Sequence, residues 1–156
     1  MQGETLLDYL IHHATSRGDA TALTVLDEDH PEGTTYRYRD LLARAAAYAT
    51  RLSEVAQPGE RAMIVLDTGI DYVSAFLGCL LARVIAVPAF PPESMRPQHL
   101  ARLNAIAADA RPSVVVVDDG LAGDWASGRS DSLQARIVAV SSVSSGSWGS
   151  SVGATM

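Results

Sequence analysis

The sequence has 156 residues, of which 47% are hydrophobic, and a formal net charge of −6 at pH 7. This length fits one domain with a buried core. The negative charge argues against nucleic acid as a partner, because phosphate backbones bind basic surfaces. No apolar run approaches the roughly 18 residues of a membrane span, and no basic residue precedes Arg17 as a secretory signal requires. We therefore expect a cytoplasmic protein.

Residue usage excludes two kinds of chemistry. The single cysteine, Cys79, permits neither an intramolecular disulfide nor a cysteine metal cluster. All 12 basic residues are arginine, and the sequence contains no lysine. Any mechanism that needs a lysine amine is therefore excluded for this chain alone.

The first part of the chain predicts a helix and a hairpin. Thr5 can cap a helix whose apolar residues recur at helical spacing, and Gly18 ends it. Residues 21–26 and 34–38 are rich in β-branched and apolar side chains. The acidic segment 27–33 between them contains proline and glycine, so we expect a turn that joins two strands.

The middle of the chain repeats a helix–strand unit. Helical periodicity predicts helices at residues 40–55, 70–81 and 99–110, and short apolar runs predict strands at residues 63–66, 84–87 and 114–117. Pro88 should end the second of these strands. Residues 90–97 hold three of the seven prolines and should form an irregular loop. The alternation predicts an α/β fold with a mostly parallel sheet flanked by helices.

The carboxyl-terminal part is less organised. Residues 121–125 predict a short turn of helix, and residues 137–140 predict one more strand. Residues 141–156 are mostly serine and glycine, so burial cannot offset the entropy of ordering them. We predict a partial domain over residues 1–140, followed by a disordered tail over residues 141–156.

A family resemblance appears at residues 61–92. The run RAMIVLDTGIDYVSAFLGCLLARVIAVPAFPP resembles the second conserved block of the acyl-adenylate-forming ligases, in the version typical of fatty acyl-AMP ligases. Upstream, TYRYRDLLARAAAYATRL resembles the first block, and downstream, HLARLNAIAADARPSVVVV resembles the helix and strand that follow. The chain thus resembles the amino-terminal part of such a ligase. Two departures stand out: Arg83 replaces a usual glycine, and residues 66–68 replace a proline-bearing turn.

The resemblance implies a reaction. Such ligases use ATP and Mg to activate a fatty acid as an acyl-adenylate, and they pass the acyl group to an acyl carrier protein. It also implies a Ser/Thr/Gly phosphate loop ending in proline-lysine, an aspartate for the ribose, and a lysine from a separate carboxy-terminal domain. Because this chain has no lysine, we expect no catalytic residue in it and no cofactor bound by the chain alone.

One segment of the tail is similar to that phosphate loop. Its spacing makes Ser145, Gly146, Ser147 and Gly149 candidates for cofactor binding, with Val152 at the position of the lysine. Backbone amides there can in principle cradle a phosphate. Serine and glycine fill the whole tail, however, so we prefer a chance match.

Other polar groups have both a functional and a structural interpretation. Adjacent His12 and His13 point in different directions on a helix, which suits solvated surface better than a metal pair. Residues 27–30 lack the spacing of a calcium loop and fit an exposed turn. Asp118-Asp119 can bind a nucleotide or metal after a strand, but we prefer a helix cap. Residues 88–97 can line a substrate mouth, but we prefer simple chain routing. We predict no metal site.

Two classes of function stay open. The first is an enzyme fragment, from a fatty acyl-AMP ligase or alternatively from an acyl-CoA ligase or peptide-synthetase adenylation domain. The second is a non-catalytic remnant or docking domain. We also expect self-association or contact with a missing remainder, because the predicted helices cover only part of a five- or six-stranded sheet. The strand at residues 114–117 would then expose an edge or a face.

Overall fold

The chain alternates helices with strands, and a computed structural model describes residues 4–126 and 134–143. The helices are α1 (Leu6–Ser16), α2 (Tyr38–Val55), α3 (Ile70–Leu81), α4 (Pro97–Ala110) and α5 (Asp119–Ala126). The strands are β1 (Thr21–Val25), β2 (Thr34–Arg37), β3 (Arg61–Val65), β4 (Ile85–Ala89), β5 (Val114–Val117) and β6 (Arg136–Ala139). Among the described residues, no helix has the length and hydropathy needed to cross a membrane.

The strands form two separate sheets. β1 and β2 pair as an antiparallel hairpin, and the other four strands form a parallel sheet in the order β4-β3-β5-β6. The predicted α/β class and mostly parallel sheet are confirmed. The main sheet has four strands instead of the expected five or six, because the hairpin pairs only with itself among the described residues.

Helices cover both faces of the parallel sheet because its strands are apolar on both sides. α2 and α3 pack on one face against Ile64 and Val116. α4 and α5 pack on the opposite face against Met63 and Val115. α1 and the hairpin form an outer layer, where Leu10 packs with residues of α2 and α3.

The expectation that the strand at residues 114–117 would be exposed is wrong. β5 lies between β3 and β6, and its four valines are at most 1% exposed. The reason is that β6 pairs with its open side, while helices from both faces cover its side chains. The edges of the described sheet are β4 and β6 instead.

The prediction that Pro88 ends its strand is also wrong, since β4 continues through Pro88 to Ala89. Ile85 donates its N–H to the carbonyl of Glu60 at 2.8 Å, on the β3 side. Backbone groups of a strand alternate between its two sides, so position 88 directs its nitrogen away from β3. A proline at that position removes no hydrogen bond between β4 and β3, and edge strands tolerate proline for this reason.

Arg83, the residue that departs from the family pattern, ends α3 in a left-handed conformation with φ of 58°. Val84 N–H donates to the Cys79 carbonyl at 2.9 Å, and Arg83 N–H donates to the Leu80 carbonyl at 3.1 Å. This pair of bonds is the Schellman ending, in which glycine is usual because it has no Cβ. The Arg83 side chain is exposed, so water solvates its guanidinium.

We expect Arg83→Gly to stabilise the chain. A non-glycine residue in the left-handed region costs about 1–2 kcal/mol, and the greater freedom of glycine in the unfolded chain offsets part of the gain. The net increase in the free energy of unfolding should be about 0.5–1 kcal/mol, measured by urea denaturation. Arg83→Ala retains a Cβ and is the control. Equal stability of the glycine and alanine variants would contradict this explanation.

Cys79 lies in the core between α3 and the sheet and is fully buried. Burial raises the pKa of its thiol to about 12. At pH 8 the reactive thiolate is therefore roughly a thousandfold rarer than for an ordinary thiol. We expect a chromogenic disulfide reagent to label Cys79 only after denaturant unfolds the chain, and rapid labelling under native conditions would contradict the buried position.

Candidate functional site

The topology creates one point where the chain diverges from the carboxyl edge of the sheet. β3 and β5 are neighbours, but α3 leads from β3 to β4 whereas α5 leads from β5 to β6 on the other side. Open α/β sheets bind their ligands at such switch points, because the diverging connections leave a crevice. A cleft of about 380 Å³ lies there.

The cleft wall comes from three parts of the chain. Residues that follow β3 and β5 line one part of it, and the hairpin contributes Val25, Thr34 and Tyr36. The lining includes five aspartates, which are Asp27, Asp67, Asp71, Asp118 and Asp119. The site is thus an acidic crevice between the hairpin and the sheet.

The paired aspartates after β5 have structural partners. Asp118 Oδ1 accepts the N–H of Leu121 at 2.8 Å, at the start of α5. The preferred interpretation of Asp118 as a helix cap is therefore confirmed. Asp119 Oδ1 accepts hydrogen bonds from Ser141 Oγ at 2.6 Å and from Ser141 N at 3.2 Å. Asp119 thereby links the end of β5 to the end of β6.

Asp71 joins the first turn of α3 to α2 at the cleft. Tyr48 Oη donates to Asp71 Oδ1 at 3.1 Å, and Arg44 Nη1 lies 3.9 Å from the same oxygen. Burial raises the pKa of the Tyr48 phenol far above its ordinary value, and the Asp71 carboxylate adds to the rise. The phenol therefore remains a proton donor at any physiological pH.

Arg44 extends this contact to the hairpin, with Cζ 5.4 Å from the centroid of the Tyr36 ring. A guanidinium over an aromatic face is attracted by the ring quadrupole. Sequence reasoning did not single out Tyr36, Tyr48 or Asp71, because each fits an ordinary helix or strand pattern on its own. Only the packing of α2 against α3 and the hairpin brings them together.

The charge of the cleft limits what it can bind. Five carboxylates create a negative potential that disfavours the phosphates of a nucleotide. Among the described residues, no group of three His, Cys, Asp or Glu side chains is placed to hold a metal ion. By themselves, the described residues therefore form neither a favourable site for the triphosphate of ATP nor a three-ligand metal site.

Of the other predicted candidates among the described residues, only Asp27 lies at the cleft. His13 packs against the Tyr38 ring, with ring centroids 5.0 Å apart. Asp27 lines the cleft, and its Oδ1 also accepts the backbone N–H of His30 at 2.7 Å in an exposed turn. Of residues 88–97, Pro88 and Ala89 lie in the outer strand β4 and the others follow it, and none of them lines this cleft.

The predicted tail begins inside the described region. Val140–Ser142 form a short 3₁₀ helix, and Val143 is buried against the core. Residues 144–156, which include Ser145, Gly146, Ser147 and Gly149, lie outside the described residues. The phosphate-loop candidates, the tail boundary and the predicted disorder therefore stay predictions.

Solved structures of adenylate-forming ligases share this fold. A fatty acid AMP ligase from Legionella pneumophila superposes with a TM-score of 0.79 at 28% identity, over 91% of this chain and 24% of that chain. A fatty acyl-adenylate ligase from the same organism, in complex with acyl adenylate and pyrophosphate, gives a TM-score of 0.79 at 27% identity over the same shares. The chain thus has the α/β fold of the adenylate-forming ligases.

Sequence comparison agrees. Residues 10–151 match the family model of the AMP-binding enzymes, and the chain belongs to that family. The medium-chain-fatty-acid–[acyl-carrier-protein] ligase JamA of Moorena producens is 34% identical over 73% of this chain and 19% of its own length. The long-chain-fatty-acid–AMP ligase FadD32 of Mycolicibacterium smegmatis is 35% identical over 73% of this chain and 18% of its own length.

These comparisons confirm the resemblance to fatty acyl-AMP ligases. The chain spans about a fifth of the length of these curated relatives, 19% and 18% respectively. The activity, substrates and partners of a whole ligase are therefore proposals for this chain.

Proposed function

We propose that this chain is the amino-terminal part of a cytoplasmic ligase that activates a fatty acid with ATP and passes the acyl group to a carrier protein. The observation that carries the proposal is the family match across residues 10–151. Similarity to a ligase named for an acyl carrier protein supports the carrier as acceptor rather than coenzyme A.

The chain contributes a scaffold to this reaction rather than its reacting groups. Adenylate formation needs cations near the reacting phosphate oxygens, and the cleft instead presents five carboxylates. Since the sequence holds no lysine, the two lysines that the resemblance implies must come from the remainder of the ligase. The role of this chain is to supply one wall of the substrate crevice.

The absence of lysine also supports a second function for the isolated chain, that of a non-catalytic docking domain. The two functions differ in one property, which is whether the chain becomes part of an active ligase once the remainder is supplied.

We expect the isolated chain to catalyse no ATP–pyrophosphate exchange with medium- or long-chain fatty acids. The Legionella ligase, assayed in parallel, is the positive control. Exchange above a no-enzyme background that disappears when residues 145–153 are deleted would contradict the expectation and would assign a phosphate loop to the tail.

A chimera tests the proposed function directly. The matching segment of the Mycolicibacterium relative is deleted, or is replaced by the full chain. ATP–pyrophosphate exchange is then measured for both proteins. Exchange restored by the chain, and lost in the same chimera carrying Gly78→Val, would support the ligase. A folded chimera without exchange would favour the docking domain.

A further inference from the structure

The outer edge of the parallel sheet is apolar and largely exposed, although Cζ of Arg102 lies 5.9 Å from the centroid of the Phe90 ring. We define the β4 edge as Ile85, Pro88 and Phe90, at and just beyond the strand that pairs only with β3 among the described residues. Ile85 is 50% exposed and Phe90 is 72% exposed. No charged residue occurs between Arg83 and Glu93. Edge strands of free-standing domains are usually protected by charges or by a covering segment.

The opposite edge provides a contrast within the same sheet. In β6, Val138 is fully buried. Arg136 Nη1 donates to the carbonyl of Val55 at 2.8 Å, so a charged side chain ties this edge to the end of α2. Exposure of large apolar groups on the sheet is thus greater at β4 than at β6, where Ile137 is 37% exposed.

The backbone of β4 limits how a partner can attach. Ile85 donates towards β3, so the outward positions of the strand are Ala86 and Pro88. Proline has no N–H, which leaves Ala86 as the one outward donor between residues 85 and 89. An added strand would find too few donors for a regular ladder, so the edge suits a partner that packs side chains against it.

We propose that the β4 edge is the surface on which the remainder of the ligase packs, with Phe90 as the central apolar contact. This inference rests on the proposed function. Its second support is length, because the Legionella structure that superposes on 91% of this chain contains about four times as much polypeptide, the match being 24% of that chain. A second copy fits less well, since edge-to-edge pairing of two β4 strands needs the donors that Pro88 lacks.

Thiol labelling tests the surface, because Cys79 is buried and its thiolate is rare, and the labelling of the unsubstituted chain and chimera is subtracted as background. A thiol is introduced by Phe90→Cys and, as a control, by Glu28→Cys at the exposed tip of the hairpin. Both variants are made in the isolated chain and in the chimera with the Mycolicibacterium remainder. We expect fast labelling at both positions in the isolated chain. In the chimera, labelling at position 90 should slow at least about tenfold while position 28 is unchanged.

The outcomes are distinct. Labelling at position 90 that stays fast in a cooperatively melting chimera overturns the proposal, as does equal slowing at both positions. Labelling at position 90 that is slow in the isolated chain at high concentration and fast after dilution assigns the edge to a second copy of the chain. That result also overturns the proposal. A protected position 90 in a chimera without ATP–pyrophosphate exchange supports the surface and counts against the proposed function.

If the chimera does not fold, the isolated chain still provides a test. The double substitution Ile85→Ser with Phe90→Ser should reduce binding of an apolar-surface dye by about half. Leu26→Ser, at a residue 69% exposed on the hairpin, is the matched control. Dye binding that is unchanged by the double substitution would overturn the proposal.

Discussion

Gly78→Val should lower the free energy of unfolding by about 3 kcal/mol, a large part of the roughly 5–15 kcal/mol that stabilises a typical domain. A Cβ at Gly78 would lie 2.5 Å from Tyr48 Cβ, 3.0 Å from the Ala45 carbonyl oxygen and 3.1 Å from the Ala49 nitrogen. Two of these atoms belong to the α2 backbone, which cannot rotate away. The helices would have to separate, and the contact between Tyr48 and Asp71 would be lost with them.

The control for this prediction is Gly123→Ala in α5. Apart from its chain neighbours and the nearby backbone of α5, nothing lies within 4 Å of a Cβ built at Gly123, and alanine is favoured over glycine in a helix by about 1 kcal/mol. We therefore expect this variant to be more stable than the parent in urea denaturation. A Gly78→Val variant with parental stability would show that α2 and α3 do not approach each other as closely as described.

Val115→Asp should prevent stable folding. Val115 is 1% exposed in the interior strand β5, and an unpaired carboxylate there costs about 4 kcal/mol because neither water nor a cation can reach it. The same change at Ile137 is a matched control, since Ile137 is the register partner of Val115 on the edge strand β6.

We expect Ile137→Asp to cost only about 1 kcal/mol, because this side chain is 37% exposed and can turn towards water. Circular dichroism and urea denaturation of both variants measure the difference. Similar costs at the two positions would indicate that β5 is itself an edge, one of the two kinds of exposure expected for residues 114–117 in the sequence analysis.

Most of the secondary structure followed from local patterns in the sequence. The apolar run of β5 and the periodicity of α3 predicted Val114–Val117 and Ile70–Leu81 with the bounds that the structure has. These signals are local, because a helix or strand buries a face whose residues recur at a fixed spacing. The cap at Asp118 was predictable for the same reason, since it depends on residues three positions apart.

The family resemblance was also readable from the sequence. It rests on an ordered series of blocks, and the match over residues 10–151 confirms it. The lack of lysine, a property of composition, is the basis of the prediction that the reacting lysines lie outside this chain.

Only the tertiary structure decided which strands are neighbours. Strand order depends on contacts between residues far apart in the chain, so no local pattern places β6 beside β5 or leaves β4 at the edge. The same order explains why Pro88 lies within a strand, since its missing N–H falls on the outer side. It also brings Tyr48, Asp71 and the hairpin together at the cleft, because packing between elements, not spacing along the chain, sets those distances.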